Sequence, residues 1–397
     1  MVTNKHKKLQ LFSLRSKVKP VKIPKDAIDD GNVRKVPELC SGNKLLIIQD
    51  ETPWILVRLG YDNSTHKSRK DVLQIGNGKA QNKVICSYNN ANSNPSAWYT
   101  EIEERENIIK NVNFIRTNES TAITNFLEVR YKCHIRIENV NILTPQTGEI
   151  DSGDSVFFIE DCADLSMNNI IINGTYSEKR KTGYGIRLMN VYDTKICRLY
   201  AKCKWGVFGN YNINKVRLKK CDLNRFDVHS YGTDIKCEGC KFHGLYNQFS
   251  SIFGTILFEN CKFEDEVPFL QESSFNAFTP FDLIWRNCEF ELTKRKNYLV
   301  TLFGVPEVIN YRPELSAKCL PNIELSNCRI VIPNKVNKWY LIETRGGKYK
   351  GDFDYISKIK LGRVKINGNV NAEFNISDEP LQTSKQIKKI VDFRYAK

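Results

Sequence analysis

The stretch Asn224-Arg-Phe-Asp-Val-His-Ser-Tyr-Gly232 groups side chains that can move a proton or clamp a charge. Phe226 and Val228 are apolar and two apart, so on a strand they face a core. Arg225, Asp227 and His229 then project together from the outer face. Such a row can supply an acid and a base beside an electrostatic clamp for an anionic or hydroxylated substrate. It also fits an exposed ion pair with a histidine neighbour, which contributes little stability.

Counting back from the repeat described below places neighbours around this row. Arg187 of Tyr184-Gly-Ile-Arg187 and Phe208 of Trp205-Gly-Val-Phe208 fall on preceding turns of the chain, and Ser250 with Gln248 on the following one. The expected face gathers Asp227, His229 and Arg225 for catalysis. Arg187, Tyr184, Trp205, Phe208, Tyr231 and Gln248 are expected to bind substrate. Aromatic rings beside charged and hydrogen-bonding groups suit a carbohydrate, although a register slip of one residue reverses which side chains face out, and core stacking is the commoner use of such rings.

Other candidates carry less. Asp151 and Asp154 fit hydrolase acids or calcium ligands, and equally a turn rich in Asp and Gly. Calcium has no further support, and no cofactor is expected. His134 beside Cys133 reads as structural, and His243 as solvated. Cys237 and Cys240 form a lone C-x-x-C without the second ligand pair that zinc needs, so no metal is expected. No phosphate loop, nucleophile elbow or zinc-protease helix motif is present.

These residues sit in a chain with a repeat. A polar residue, then usually Asn or Gly, then Cys or an aliphatic, a variable residue and an apolar one recur: Glu138-Asn-Val-Asn-Ile142, Glu259-Asn-Cys-Lys-Phe263, Arg286-Asn-Cys-Glu-Phe290, Ser326-Asn-Cys-Arg-Ile330. The middle residues stand at 112, 140, 170, 199, 221, 240, 261, 288 and 328, mostly 19 to 30 apart with one gap of 40. A winding of three short strands and three bends fits that period, whereas helical and leucine-rich repeats keep stricter lengths. On a strand the Cys and the Phe two residues later both point inward. The preceding Asn tolerates left-handed backbone and can bond its copy in the next winding. The fold expected is all-β, a right-handed parallel β-helix.

Composition agrees. Of 397 residues, 41% are hydrophobic and 26% charged, enough to bury a core, and no run approaches a membrane-spanning length. Thirteen cysteines cannot all pair, and five of them recur at one repeat position, which points to stacked thiols. The net charge of +15 arises partly in residues 1–25, with eight Lys or Arg and no acid. That segment reads as a solvated tail or as an attachment arm. No nucleic-acid-binding motif accompanies the charge, so no nucleic acid is expected. The expected organisation is a basic arm over 1–30, a β-rich capping segment over 31–105, windings over 106–332, and a final winding with a capping tail over 333–397. Strands are expected at Leu45–Ile48, Trp54–Val57 and Val84–Cys86, with a polar loop over 61–70. The basic start lacks the apolar core and cleavage site of a secretory signal.

The Asn-Cys-x-Phe windings, with Trp205-Gly-Val-Phe-Gly-Asn-Tyr211 and Leu223-Asn-Arg-Phe-Asp-Val-His229, resemble pectate-lyase-like β-helix proteins. In particular they resemble tail-spike-like members from gut bacteria and their phages that share an Arg-Phe-Asp-x-His stretch. The resemblance covers about 100–330 for fold and 184–232 for motif. It departs at Val228, where members commonly have a small residue. It implies contact with polysaccharide, as a phage receptor-binding tail spike with or without depolymerase activity (lyase or hydrolase), or as a bacterial carbohydrate-active enzyme (polysaccharide lyase, glycoside hydrolase or epimerase). A non-catalytic adhesin is the third reading. The first implies a virion location, phage tail proteins as partners and a homotrimer; otherwise the chain stays in the cytoplasm.

Overall fold

The computed structural model describes residues 9–55, 67–85, 88–89, 91–115, 123–143, 155–173, 184–201, 206–243, 246–264, 267–271, 281–292, 298–303, 322–332, 338–345, 358–367, 371–376 and 392–396. The chain divides into two compact units, 1–53 with 67–216, and 54–66 with 217–397. Each contains parallel β-helix windings.

One residue per winding explains the repeat. The position before each anchor has left-handed backbone: Asn111, Asn139, Asn169 and Arg198 in the first unit; Lys220, Gly239, Asn260, Asn287, Asn327 and Arg363 in the second. Asparagine is the side chain that adopts this conformation at least cost while bonding locally, and here it also bonds across windings. Asn139 Nδ2 donates to Asn111 Oδ1 at 3.0 Å, Asn169 to Asn139 at 2.9 Å, and Asn327 to Asn287 at 2.8 Å. The asparagine ladders expected from the sequence are therefore present.

In the first unit Asn107–Ile115, Ile135–Leu143, Ser155–Asn173 and Tyr184–Ala201 pair parallel and in register, bringing Val112, Val140, Ile170 and Leu199 into one column. Leu9–Arg15, inside the basic N-terminal segment, is a strand paired parallel with Ile123–Arg130. Against these windings packs a five-stranded sheet in the order Lys19–Val21, Ser96–Glu101, Asn43–Ile55, Lys67–Gly76, Lys79–Ala80. Its Leu45, Ile47 and Val72 cover Cys133 and Ala163 of the windings. Leu45–Ile48 and Trp54–Ile55 are strand as expected, but Val84 and Ile85 are not, and 67–70 of the expected loop begins a strand.

In the second unit the anchors are thiols. Cys221, Cys240, Cys261, Cys288 and Cys328 are buried and free of disulfides. Each Sγ donates to the carbonyl oxygen two residues back, at 3.3–3.5 Å. Burial, then the neighbouring thiols, pushes Cys237 well above the usual thiol value. Two residues on, Phe242, Phe263 and Phe290 stack with centroids 5.0 and 5.1 Å apart. Lys358–Asn367 adds a winding on Asn322–Val331, pairing Val364 with Cys328.

Candidate functional site

The row read from alternation at 225–229 is not a row. Residues 224–227 lie between strands Asp222–Leu223 and Val228–Glu238, and their backbone is held by side chains. Asn224 Oδ1 accepts from Arg225 N and Asn247 Oδ1 from Phe226 N, both at 2.8 Å. Released from the strand ladder, Arg225, Phe226 and Asp227 are all buried, at 1%, 0% and 0% exposure. Arg225 Nε donates to Asp227 Oδ2 at 2.6 Å, and Nη2 contacts the same oxygen. The outward placement expected for Arg225 and Asp227 is thus corrected: they are an interior ion pair. His229 is the second residue of the next strand and pairs in register with Ser250, as the residue count had it.

Two aromatic assignments also change sides. Ile186 pairs with Phe157 and with Phe208, a one-residue slip from the expected alignment that turns Phe208 into a core column. Phe208 is fully buried, and so is Tyr231 at 2%. Tyr231 takes left-handed backbone, and the next residue has no room for a side chain: a Cβ on Gly232 would meet Ile252 Cδ1 at 2.9 Å and Val228 Cγ1 at 3.1 Å. Neither ring lies where a glycan could reach it. Tyr184 opens Tyr184–Ala201, pairing with Ser155 and Gly206, and Gln248 pairs with Leu270. Trp205, Asp151 and Asp154 lie outside the described residues.

Arg187 is half-buried at an outward position of its strand. It belongs to the first unit, whereas 225–248 belongs to the second. Its surroundings were not legible as a motif, since they come from three strands. Register aligns Glu128, Phe158 and Arg187 in one row, and Arg130, Glu160 and Met189 in the next. Between them Leu127, Val129, Phe157, Ile159, Ile186 and Leu188 face the core. The Arg130 guanidinium contacts Glu128 through Nε and Glu160 through Nη1, and Lys70 of the flanking sheet reaches Glu160 at 3.3 Å. Burial draws the Arg130 pKa down, but Glu160 and Glu128 outweigh it and hold it above the usual value. The Arg130 and Arg187 guanidinium carbons lie 5.0 and 5.6 Å from the Phe158 ring centroid, within cation–π range.

Beneath this face runs a polar ladder. Asn212 Nδ2 donates to Asn190 Oδ1 at 2.8 Å and Asn190 Nδ2 to Asp161 Oδ1 at 2.7 Å, all three buried. Burial raises Asp161 to about 6, against the pull of Lys70. Asp71, hydrogen-bonded by Tyr88 Oη at 2.7 Å, is likewise raised by burial to about 6.

Two histidines have carboxylate partners. His134 Nδ1 lies 2.7 Å from Asp164, a contact between bends of neighbouring windings. His243 is not simply solvated: Nδ1 is 2.6 Å from Glu264 Oε2, and Nε2 2.6 Å from Asp222 Oδ1. Among the described residues no group of three or more His, Cys, Asp or Glu is arranged to hold a metal, and no helix is long and apolar enough to cross a membrane. A cleft of about 940 Å³ among Pro20, Lys22, Asp26, Arg34 and Pro37 contains none of the expected site residues.

No family model matches the sequence. No curated protein matches it either. Solved structures do match in fold. The tailspike protein gp49 of Pseudomonas phage LKA1 aligns over 92% of this chain with TM-score 0.52 and 12% identity. The gp54 tailspike of Acinetobacter baumannii bacteriophage AP22, solved with A. baumannii capsular saccharide, aligns over 96% with TM-score 0.53 and 10% identity. The chain spans 65% of the first protein's length and 67% of the second's. At such identities the likeness is one of backbone architecture. The chain is a parallel β-helix with the fold of phage tailspike proteins.

Proposed function

We propose that the chain is the polysaccharide-engaging β-helix of a phage tailspike, carried on the virion tail and assembled with copies of itself and with tail proteins. What supports this is the winding architecture it shares with a tailspike solved with capsular saccharide. The outer face at Arg187, with charged groups set around an aromatic ring, is chemically suited to a hydroxylated polymer.

Depolymerisation is the finer part of the proposal. It assigns proton transfer to His229, with Asp227 and Arg225 as the pair that fixes the turn from which His229 departs; their burial fits positioning and not contact. The test incubates purified chain with a panel of capsular and lipopolysaccharide glycans, scoring bound glycan and newly formed chain ends. Binding of at least one glycan is expected, with chain ends formed by wild type and not by His229→Ala. A panel with no bound member ends the proposal. A panel bound but uncut, or cut equally well by His229→Ala, removes the cleavage assignment and leaves the adhesin reading.

A further inference from the structure

We infer that Ile115, Leu143, Ile171 and Tyr200 form the surface on which the first unit meets further copies of this chain, around an axis parallel to the stacking of its windings. This rests on the proposal that the chain assembles with copies of itself, and names the face that does so.

Register builds the patch. The first outward position after each anchor is Asn113, Asn141, Ile171 and Tyr200 on successive windings, and the second begins with Ile115 and Leu143. Ile142, Ile172 and Ala201, at the positions between, are buried, so the core is filled without the outward residues. Ile115, Leu143 and Tyr200 are nevertheless 60%, 44% and 41% exposed, three of the five large apolar side chains that stand in solvent among the described residues. Neighbouring windings lie about 4.8 Å apart, so the group is contiguous. Single exposed apolar residues are ordinary on a surface, whereas a contiguous group marks a partner.

The second unit shows that the fold does not impose such a face. The same position after its anchors carries Asp222, Lys241, Lys262, Glu289 and Arg329, aligned in register. Windings of this kind can thus clothe that position in charge, and the first unit has none at the six residues of the patch.

Two properties select a second copy as the occupant. In a cyclic assembly about such an axis, each row of one copy faces the same windings of the next. Like charges opposed in this way are strongly unfavourable, but rows of isoleucine, leucine and tyrosine accept their own kind. A charge-poor centre is also what protein interfaces share, with polar groups at the rim. Arg136, paired with Glu106 at 2.8 Å and Glu138 at 2.9 Å, lies before the bend in the same windings, where a rim would be. A glycan calls for hydrogen-bonding groups, and the side chains of Ile115, Leu143 and Ile171 offer none.

The test follows assembly of the full chain by sedimentation over a concentration series. Wild type is expected to sediment as an oligomer. Leu143→Glu and Tyr200→Asp each set like charges around the axis and are expected to weaken assembly by at least about a hundredfold. Leu143→Met is expected to leave it unchanged, as is Ile108→Glu, a matching change at an exposed apolar residue before the bend. Circular dichroism and melting curves verify that the dissociated chains keep their strands, and the capsular panel, run on the same preparations, reads the polysaccharide proposal separately. A wild-type oligomer that withstands both charges, or that Ile108→Glu dissociates as readily, overturns this face and leaves self-assembly standing. A wild type that is monomeric at every concentration overturns both. Glycan binding abolished by Leu143→Glu in chains that remain assembled makes the face a sugar surface and overturns the inference as well.

Discussion

Arg225–Asp227 in one unit and Arg130 with Glu128 and Glu160 in the other are built from the same chemical groups, a guanidinium with a carboxylate two residues away along the chain, joined in the second case by Glu160 from the next winding. One set is interior, at 1% and 0% side-chain exposure; the other is on the surface, at 11–29%. The difference lies in the backbone. At 127–130 and 157–160 the strands pair with their neighbours residue by residue, so alternation holds. At 224–227 the Asn224 and Asn247 side chains take the backbone N–H groups, and four consecutive side chains turn inward. Alternation predicts facing only where the ladder supplies the hydrogen bonds.

The largest expected effect follows from the interior pair. Asp227→Ala leaves the Arg225 charge buried without its carboxylate and should destabilise the second unit by about 3–5 kcal/mol. Replacing both residues by apolar ones of similar volume should cost far less, because the desolvation penalty disappears with the charges. Urea unfolding of the two single variants and the double one measures the coupling. A double variant as unstable as the sum of the singles would mean that the pair is not a unit.

A buried carboxylate without a guanidinium on its oxygens should behave in the opposite way. Asp161 is bonded by an amide and raised from 3.8 to about 6. Because the folded value exceeds the unfolded one, folding favours the protonated acid. That stability is complete below the unfolded value and is lost as pH rises through about 6. Asp71 adds a contribution of the same sign. Between pH 4.5 and pH 7, a range set by these two values, wild type should lose stability, and Asp161→Asn should flatten part of the slope. At pH 7 the substitution should stabilise by up to about 3 kcal/mol, as two pKa units imply. Denaturation midpoints followed across this range decide it; an unchanged slope in the variant would show that Asp161 does not titrate there.

The windings were legible because their signal is local. A left-handed bend, a small buried side chain and an apolar residue two further on must be consecutive, so Asn260-Cys-Lys-Phe263 states a corner by itself, and its copies state the repeat. Which way a side chain faces was legible only where regular strand continued, as at Arg187. Phe208 was misplaced by a single-residue slip, which no local signal could detect, and Arg225 by the hydrogen bond that the Phe226 N–H donates to Asn247, 21 residues away. Glu128, Arg130, Phe158 and Lys70 went unnoticed because each is an ordinary residue in its own strand, and pairing alone brings them together.

The surface group completes the comparison with the smallest expected effect on stability. Glu128→Gln keeps the shape and removes one carboxylate from Arg130, which retains Glu160. Water reaches all three side chains, so the cost should stay below about 1 kcal/mol and shrink as salt is added. Asp227→Asn, the matching change in the interior, should cost several times more and respond little to salt, because ions do not enter the core. Paired melts at low and high ionic strength test both halves together. A salt-sensitive Asp227→Asn would mean that the 224–227 turn opens to solvent, and burial would no longer explain why Arg225 and Asp227 escaped alternation.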